Sequence, residues 1–397
     1  MAFPSYTLNP TLDMLRGAII GLGNVAVNGH LPGWEGCERA QIVAAADALE
    51  SRLVEARWRL PRARLYTEVE ALLASEPLDF LDICTPPGTH ASLTRMALHR
   101  GLHVLCEKPL VLSLDELRLV RRAQVESGRV LHTVHNWLYA PIIKKATDLI
   151  LEGQIGTVRY ISWQVLRREP SISVGPVLSP VEGPVMGSST GLTTGSVEAC
   201  PEPSRRACQE PSRGGAAHDP RSASRIGNWR LDPAMAGGGI LLDHGWHALY
   251  IILRWLCQDP RTISATLEKR AHPEWPVEDT ATVQVNFPEA VADIFLTWDA
   301  SSRGNSAVIE GTCGAIRVDD DILLLTGKSG EQSWKFEQSL SQGSHHPEWF
   351  CQVRDDFLQE ISGAERSGEN LAMASRCAQL LHLAKESHAR GGQHLSV

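Results

Sequence analysis

Leu15-Arg16-Gly17-Ala18-Ile19-Ile20-Gly21-Leu22-Gly23-Asn24-Val25-Ala26 sets an apolar run directly before a G-x-G-x-x-A turn. Residues 17–21 read as a buried strand. The two glycines permit a tight turn and a close approach of backbone to a pyrophosphate, which the N-terminus of the following helix stabilises. Such a turn alone is weak evidence, because glycine turns between strand and helix are common. Asp47 strengthens it: it ends the next apolar run, 41–46, at about the 20-residue spacing where a carboxylate accepts hydrogen bonds from ribose hydroxyls. Together they favour a dinucleotide site over a bare structural turn.

Outward from this unit the same rhythm continues. Apolar runs at 80–84, 103–106 and 130–134 alternate with helical periods at 48–58, 90–99 and 114–127, the pattern of a parallel sheet covered on both faces. After Asn136 the rhythm changes. A helix (142–152) and a strand (157–166) precede alternating stretches at 262–267, 280–287, 292–298 and 307–318, with short turns such as Pro288-Glu289-Ala290; helices at 349–361 and 371–388 close the chain. Period-two alternation with short turns predicts a largely antiparallel open sheet with one face covered by helices. The expected fold is therefore α/β: a doubly wound parallel Rossmann sheet in 1–135, then an α+β domain in 136–397. One stretch fits neither. In 170–225 half the residues are Pro, Gly, Ser or Thr, and Ala199-Cys200-Pro201-Glu202-Pro203-Ser204-Arg205 is echoed by Ala207-Cys208-Gln209-Glu210-Pro211-Ser212-Arg213. It reads as a disordered insertion, with a substrate lid as the alternative.

Composition narrows the function. The 397 residues are 43% hydrophobic and 21% charged, with a formal net charge of -8 and no basic block, which argues against nucleic acid or an anionic membrane as partner. Nine cysteines, scattered and nowhere spaced Cys-x-x-Cys, read as reduced thiols rather than disulfides or a zinc site. Residues 1–14 lack a basic region followed by an apolar run, and the richest apolar stretch, 240–257, is interrupted by Asp243, His244 and His247. A cytoplasmic protein is expected.

Three further motifs carry chemistry. Thr85-Pro86-Pro87-Gly88-Thr89-His90 follows the third apolar run and so lies at the carboxyl edge of the sheet, where ligands bind; an ordinary strand-to-helix loop capped by Thr89 is the alternative. Cys106-Glu107-Lys108-Pro109 occupies the same edge. Proline keeps Lys108 out of helical geometry, which aims it into the cleft unless it is simply a solvated lysine. Gly237-Gly238-Gly239 leads into Ile240-Leu241-Leu242-Asp243-His244-Gly245-Trp246-His247. On a helix Asp243 and His247 share a face while His244 points elsewhere. The pair reads as an acid/base unit, two metal ligands or a satisfied core histidine; with no third ligand suggested nearby, no metal is expected.

Taken together, Gly21-x-Gly23-x-x-Ala26, Thr85-Pro86 with His90, Glu107-Lys108-Pro109 and Gly237-Gly238-Gly239-x-x-x-Asp243-x-x-x-His247 closely resemble the Gfo/Idh/MocA oxidoreductases, whose members include glucose-fructose oxidoreductase and inositol dehydrogenase. The resemblance implies an NAD(P)-dependent dehydrogenase or reductase of sugar or polyol hydroxyls. It makes Lys108 and His247 catalytic and Asp243 substrate-binding, and sets Gly21, Gly23, Asn24, Val25, Asp47, Thr85, Pro86, His90, Glu107 and Lys108 around the cofactor. It also implies a homodimer or homotetramer through the outer face of the second sheet. Leu138-Tyr139, where many relatives carry arginine before an aromatic, and the insertion depart from the pattern near the substrate cleft. Asp47 would repel a 2′-phosphate, so NAD is expected rather than NADP despite Arg52. A glycosidase with transient oxidation and a non-catalytic dinucleotide sensor are the rival readings. Trp137, Trp229 and Trp246 could face a sugar or fill the core.

Overall fold

The apolar runs at the start of the chain become strands because each is buried on both sides. In β1 (Leu15–Ile20), Ala18, Ile19 and Ile20 are at most 2% exposed. The computed structural model describes residues 14–169, 228–328, 330–343, 345–363 and 368–397. The predicted insertion at 170–225 lies outside them.

β2 (Ala40–Ala46), β3 (Arg64–Tyr66), β4 (Phe80–Ile83), β5 (His103–Cys106) and β6 (Leu131–Thr133) join β1 in a six-stranded parallel sheet of order β3-β2-β1-β4-β5-β6. The chain reverses its direction of travel across the sheet between β1 and β4. Ligands of doubly wound sheets bind beyond the carboxyl ends of strands at that switch point. A short helical segment, Ala26–His30 continued by Leu31–Trp34, connects β1 to β2, and four helices make the remaining connections: α1 (Glu50–Ala56), α2 (Val69–Ser75), α3 (His90–His99) and α4 (Leu114–Ser127). The last two match the predicted spans; α1 is shorter than 48–58, and α2 and β3 carry too few periodic positions to show in the sequence.

Beyond α5 (Pro141–Leu151) lies a nine-stranded sheet of order β14-β13-β12-β11-β7-β10-β9-β8-β15. Its strands are β7 (Val158–Leu166), β8 (Thr262–Glu268), β9 (Thr280–Asn286), β10 (Val291–Thr297), β11 (Gly304–Gly311), β12 (Gly314–Asp319), β13 (Ile322–Gly327), β14 (Gly330–Lys335) and β15 (Leu395–Ser396). The pairing is antiparallel except for β7 with β10, so the sheet is mixed. The single stretch expected at 307–318 is two strands, β11 and β12, divided at Thr312-Cys313. Helices α6 (Trp246–Leu256), α7 (Pro347–Ile361) and α8 (Glu369–Ala389) follow. Asn370 at the start of α8 accepts from Thr133 N (2.7 Å) and donates to Thr133 O (2.9 Å), which ties α8 to the end of β6. No helix among the described residues is long and apolar enough to cross a membrane.

Candidate active site

Gly21, one residue past β1, has φ +86°, and a Cβ there would meet Thr85 at 2.9 Å; only glycine makes this turn without strain. Gly23 is the opposite case. A Cβ there would meet nothing within 4 Å, so open space lies against the backbone where a diphosphate would approach. Asp47, 7% exposed, is fixed by its neighbours: Oδ2 accepts from Leu22 N (2.7 Å) and Oδ1 from Leu49 N (2.9 Å), with Arg52 Nη1 3.3 Å from Oδ2. Its carboxylate thus braces the glycine turn and keeps lone pairs for a ribose. The turn opens into a cavity of about 610 Å³, within the ordinary range for small-molecule and cofactor sites. Open glycine, braced carboxylate and cavity together fit a dinucleotide.

Gly21, Gly23, Asn24, Val25, Asp47, Thr85, Pro86, Glu107, Lys108, Asp243 and His247 all line this cavity. His90 does not. It is fully buried, with Nδ1 2.8 Å from Pro109 O and Nε2 2.7 Å from Thr85 O. His90, expected around the cofactor, instead joins the two lining loops from behind.

Glu107 is positioned by a buried cluster that sequence reading missed. His30 Nδ1 lies 2.9 Å from Asp82, and Nε2 lies 3.1 Å from Glu107 Oε1; Glu107 Oε2 also accepts from Lys108 N. Trp34 Nε1 donates to Asp82 at 2.7 Å, and Cys84 Sγ is 3.1 Å from His30 Nδ1. Burial would lower the His30 pKa, but Asp82 and Glu107 overcome it and hold it up at about 9. The imidazolium so formed donates to both carboxylates. His30, Asp82 and Cys84 offer ligand atoms within 4.8 Å of one another, yet these donors already satisfy each other. The signal was diffuse, since His30 lies in the helical turn after β1 while Asp82 and Cys84 lie at the end of β4.

Lys108 Nζ donates to Asp243 O at 2.7 Å and lies 3.4 Å from Asp243 Oδ1. Asp243 sits in a π-helical turn, Leu241–Gly245, that runs directly into α6. The wide turn changes the geometry expected of a plain helix. His244 does not point elsewhere: it lines the cavity beside Asp243 and His247, with Nε2 3.6 Å from Asp243 Oδ2. Nor does Asp243 orient His247 through a hydrogen bond. His247 Nδ1 is 2.7 Å from Tyr250 Oη, which accepts from Trp137 N at 3.1 Å, and Trp137 stacks on the imidazole at 4.4 Å.

Burial and the Lys108 charge hold the His247 pKa well below its ordinary value, so the ring is neutral. Burial would raise the Asp243 pKa, but His244, Lys108 and Arg230 around it push it well below the carboxylate range. A neutral imidazole, an ammonium and a fixed carboxylate therefore share the cavity with the glycine turn. Of the tryptophans, Trp137, Trp229 and Trp298 line it, whereas Trp246 is fully buried core.

Residues 15–135 match the family described as "Oxidoreductase family, NAD-binding Rossmann fold", and residues 214–317 match the GFO/IDH/MocA C-terminal domain. A D-apiose dehydrogenase of Paraburkholderia graminis is 35% identical over 147 residues, 37% of this chain and 39% of that protein. A D-xylose 1-dehydrogenase (NADP(+)) of Haloferax volcanii is 34% identical over 141 residues, 35% of this chain and 42% of that protein. The chain thus spans about two fifths of the length of these curated relatives. The fold extends further: an oxidoreductase from Agrobacterium radiobacter, solved with NAD+, L-tartaric acid and magnesium, superposes with a TM-score of 0.72 at 22% identity, over 97% of this chain and 98% of that one. GenD2 from gentamicin A biosynthesis, solved with NAD, gives 0.73 at 19% identity over 100% and 99%. The two family matches together span more than half of the sequence, one on each sheet, and the chain belongs to the GFO/IDH/MocA oxidoreductase family.

Proposed function

We propose that the protein is an NAD-dependent dehydrogenase acting on a CH–OH group of a sugar, polyol or related small molecule. The observation that carries this reading is the convergence of the glycine turn, Lys108 and His247 on one cavity. The names of the D-apiose and D-xylose dehydrogenases support the substrate class.

Bound along residues 21–25 and Asp47, NAD supplies the acceptor or donor of a hydride. His247 receives the hydroxyl proton at Nε2, which requires that Nδ1 carry a proton and donate it to Tyr250 Oη. That oxygen has a lone pair left after accepting from Trp137 N, and the burial that keeps the ring neutral keeps it ready as a base. Lys108, anchored on Asp243, donates to the substrate oxygen and offsets the negative charge that develops there. Asp243 holds Lys108 and accepts from a neighbouring hydroxyl.

The reading includes a dinucleotide domain in 1–135 and a substrate domain in 136–397, NAD preferred over NADP, and a cytoplasmic homodimer or homotetramer. Its partners are small molecules rather than nucleic acid or membrane, in keeping with the net charge of -8. The test is purified protein with NAD against polyols, aldoses, inositols and dihydrodiols, followed by nicotinamide absorbance. Net reduction by a substrate supports the dehydrogenase. Sugar release from an aryl glycoside without net reduction, or NAD binding with neither reaction, overturns it.

A further inference from the structure

The part of the cavity nearest Asp243 is more cationic than a neutral polyol requires. Lys108, Arg167, Arg230 and Arg303 line it, against Asp243 and the exposed Glu169 at the mouth. Asp243 is shared by Lys108 at 3.4 Å and Arg230 at 3.6 Å. Neither remaining arginine has a carboxylate within 4 Å among the described residues. Arg303, exposed at the mouth, donates among the described residues only to backbone, Nε to Ser341 O (3.1 Å) and Nη2 to Gly343 O (2.9 Å).

Arg167 is the sharper case. It is 3% exposed, and its partners among the described residues are all neutral: Nη1 donates to Leu166 O (2.7 Å) and Gly304 O (3.1 Å), Nη2 to Asn305 Oδ1 (3.2 Å), and Nε has none. A buried cation is costly unless an anion compensates it. Leu166 pairs with Gly304 across β7 and β11, so Arg167 and Arg303 are brought side by side at the end of the ladder. Next to them, the buried Nδ1 of His244 is a second polar atom without a partner.

The glycine turn and the opposite end of the cavity take the diphosphate of a dinucleotide, so these arginines are left for the substrate. We infer that the substrate carries an anionic group, carboxylate or phosphate, whose oxygens accept from Arg167 and Arg303 while its reacting hydroxyl faces Lys108 and His247. A planar guanidinium pair suits such an anion, since each offers parallel N–H donors to two oxygens. Recognition of this kind disfavours the neutral analogue, because the buried cation is then offset, among the described residues, only by Asp243 and Asp320, both beyond ion-pair distance.

The inference rests on the dehydrogenase reading for the position of the reacting hydroxyl but is tested by binding alone. Protein saturated with NADH is titrated calorimetrically with D-glucose, D-glucuronate and D-glucose 6-phosphate, and the titrations are repeated with Arg303→Gln and Arg167→Gln, each first checked for an unchanged melting temperature. Arg303, at the mouth, keeps the test open if the Arg167 variant does not fold. One acid should bind at least about tenfold more tightly than glucose, with the tighter of the two acids identifying carboxylate or phosphate, and Arg303→Gln should lower that affinity about tenfold while leaving glucose within about threefold. Equal affinities, tighter glucose, no binding of either acid, or an acid preference indifferent to Arg303 overturns the inference. Turnover with NAD, measured separately on the same compounds, tests the dehydrogenase reading: acid binding without turnover would leave the anion site standing while removing the chemistry.

Discussion

Lys108 Nζ donates to the backbone carbonyl of Asp243 at 2.7 Å, so the ammonium delivered by the first sheet is fixed by the π-helical turn that opens α6. The same turn supplies the Asp243 carboxylate at 3.4 Å. Position and countercharge therefore come from one residue, through two different groups.

These two contributions separate on mutation. Lys108→Ala removes the donor to the substrate oxygen, and a kcat loss of at least about a hundredfold is expected with NAD affinity within a few-fold. Asp243→Asn keeps the backbone acceptor and the side-chain shape but removes the countercharge, so a smaller kcat loss of about tenfold is expected. Steady-state kinetics and NAD titration on both variants decide it. If Lys108→Ala retains most of its turnover, the lysine is not the electrophilic group.

His247→Ala should likewise lower kcat at least about a hundredfold. Tyr250→Phe leaves the imidazole in place but removes the acceptor that fixes Nδ1–H, and it also leaves Trp137 N without its partner. It should lower kcat about tenfold and cost about 1–3 kcal/mol of stability. Because the imidazole is held well below its ordinary pKa, the oxidation rate should show no acid limb near pH 6.5. A limb there that disappears in His247→Ala would show that the ring protonates freely and that burial does not control it.

His244 tests the wide turn. On a regular helix this ring would leave the cavity and His244→Ala would be mild; in the structure it lines the cavity 3.6 Å from Asp243. Its removal should therefore raise KM about tenfold, with a smaller change in kcat. An unchanged KM would indicate that the ring does not meet substrate.

How much of this was legible depended on whether chemistry was encoded locally. The turn at 21–25, the loops at 85–86 and 107–108, and the pair Asp243 and His247 lie next to strands or on one helical stretch, and all line the same cavity. The parallel sheet was legible for the same reason, five of its six strands being short, mostly apolar runs, with β3 too short to show. His30, Asp82 and Trp34 were not, because their association is created by the packing of separate elements. His244 was misplaced because apolar periodicity assumes 3.6 residues per turn, and a π turn leaves no mark in composition. β14 was unread because it is exposed along most of its length and shows no apolar face.

The His30 cluster gives stability a definite pH dependence. Its folded pKa, about 9, is raised above the unfolded value of about 6.5. A raised pKa means that the folded state holds the proton more tightly, so the contribution is fully present below about pH 6.5 and is lost as pH rises through about 9. The melting temperature should fall across that window. His30→Gln should be less stable at pH 6 and show a shallower decline, approaching the parent protein at alkaline pH. Parallel melting curves for the two proteins across the window would mean that His30 is not the titrating group.

Cofactor choice turns on Asp47 and Arg52. The Asp47 carboxylate is held rigidly by Leu22 N and Leu49 N, so it cannot swing away from a ribose phosphate without breaking the brace on the glycine turn. Arg52, 3.3 Å from the same carboxylate and one-third exposed in its side chain, is the one countercharge within 4 Å of it among the described residues and is already engaged in that pair. NAD should therefore bind more tightly than NADP. Asp47→Ser removes the repulsion and frees Arg52 to meet a 2′-phosphate, so it should narrow the preference by about tenfold or reverse it, mainly through tighter NADP binding. Because the brace on Leu22 N weakens at the same time, NAD affinity should fall modestly in this variant. Fluorescence titration of both dinucleotides against both proteins reads the two effects separately, and tighter binding of NADP to the parent protein would refute the assignment.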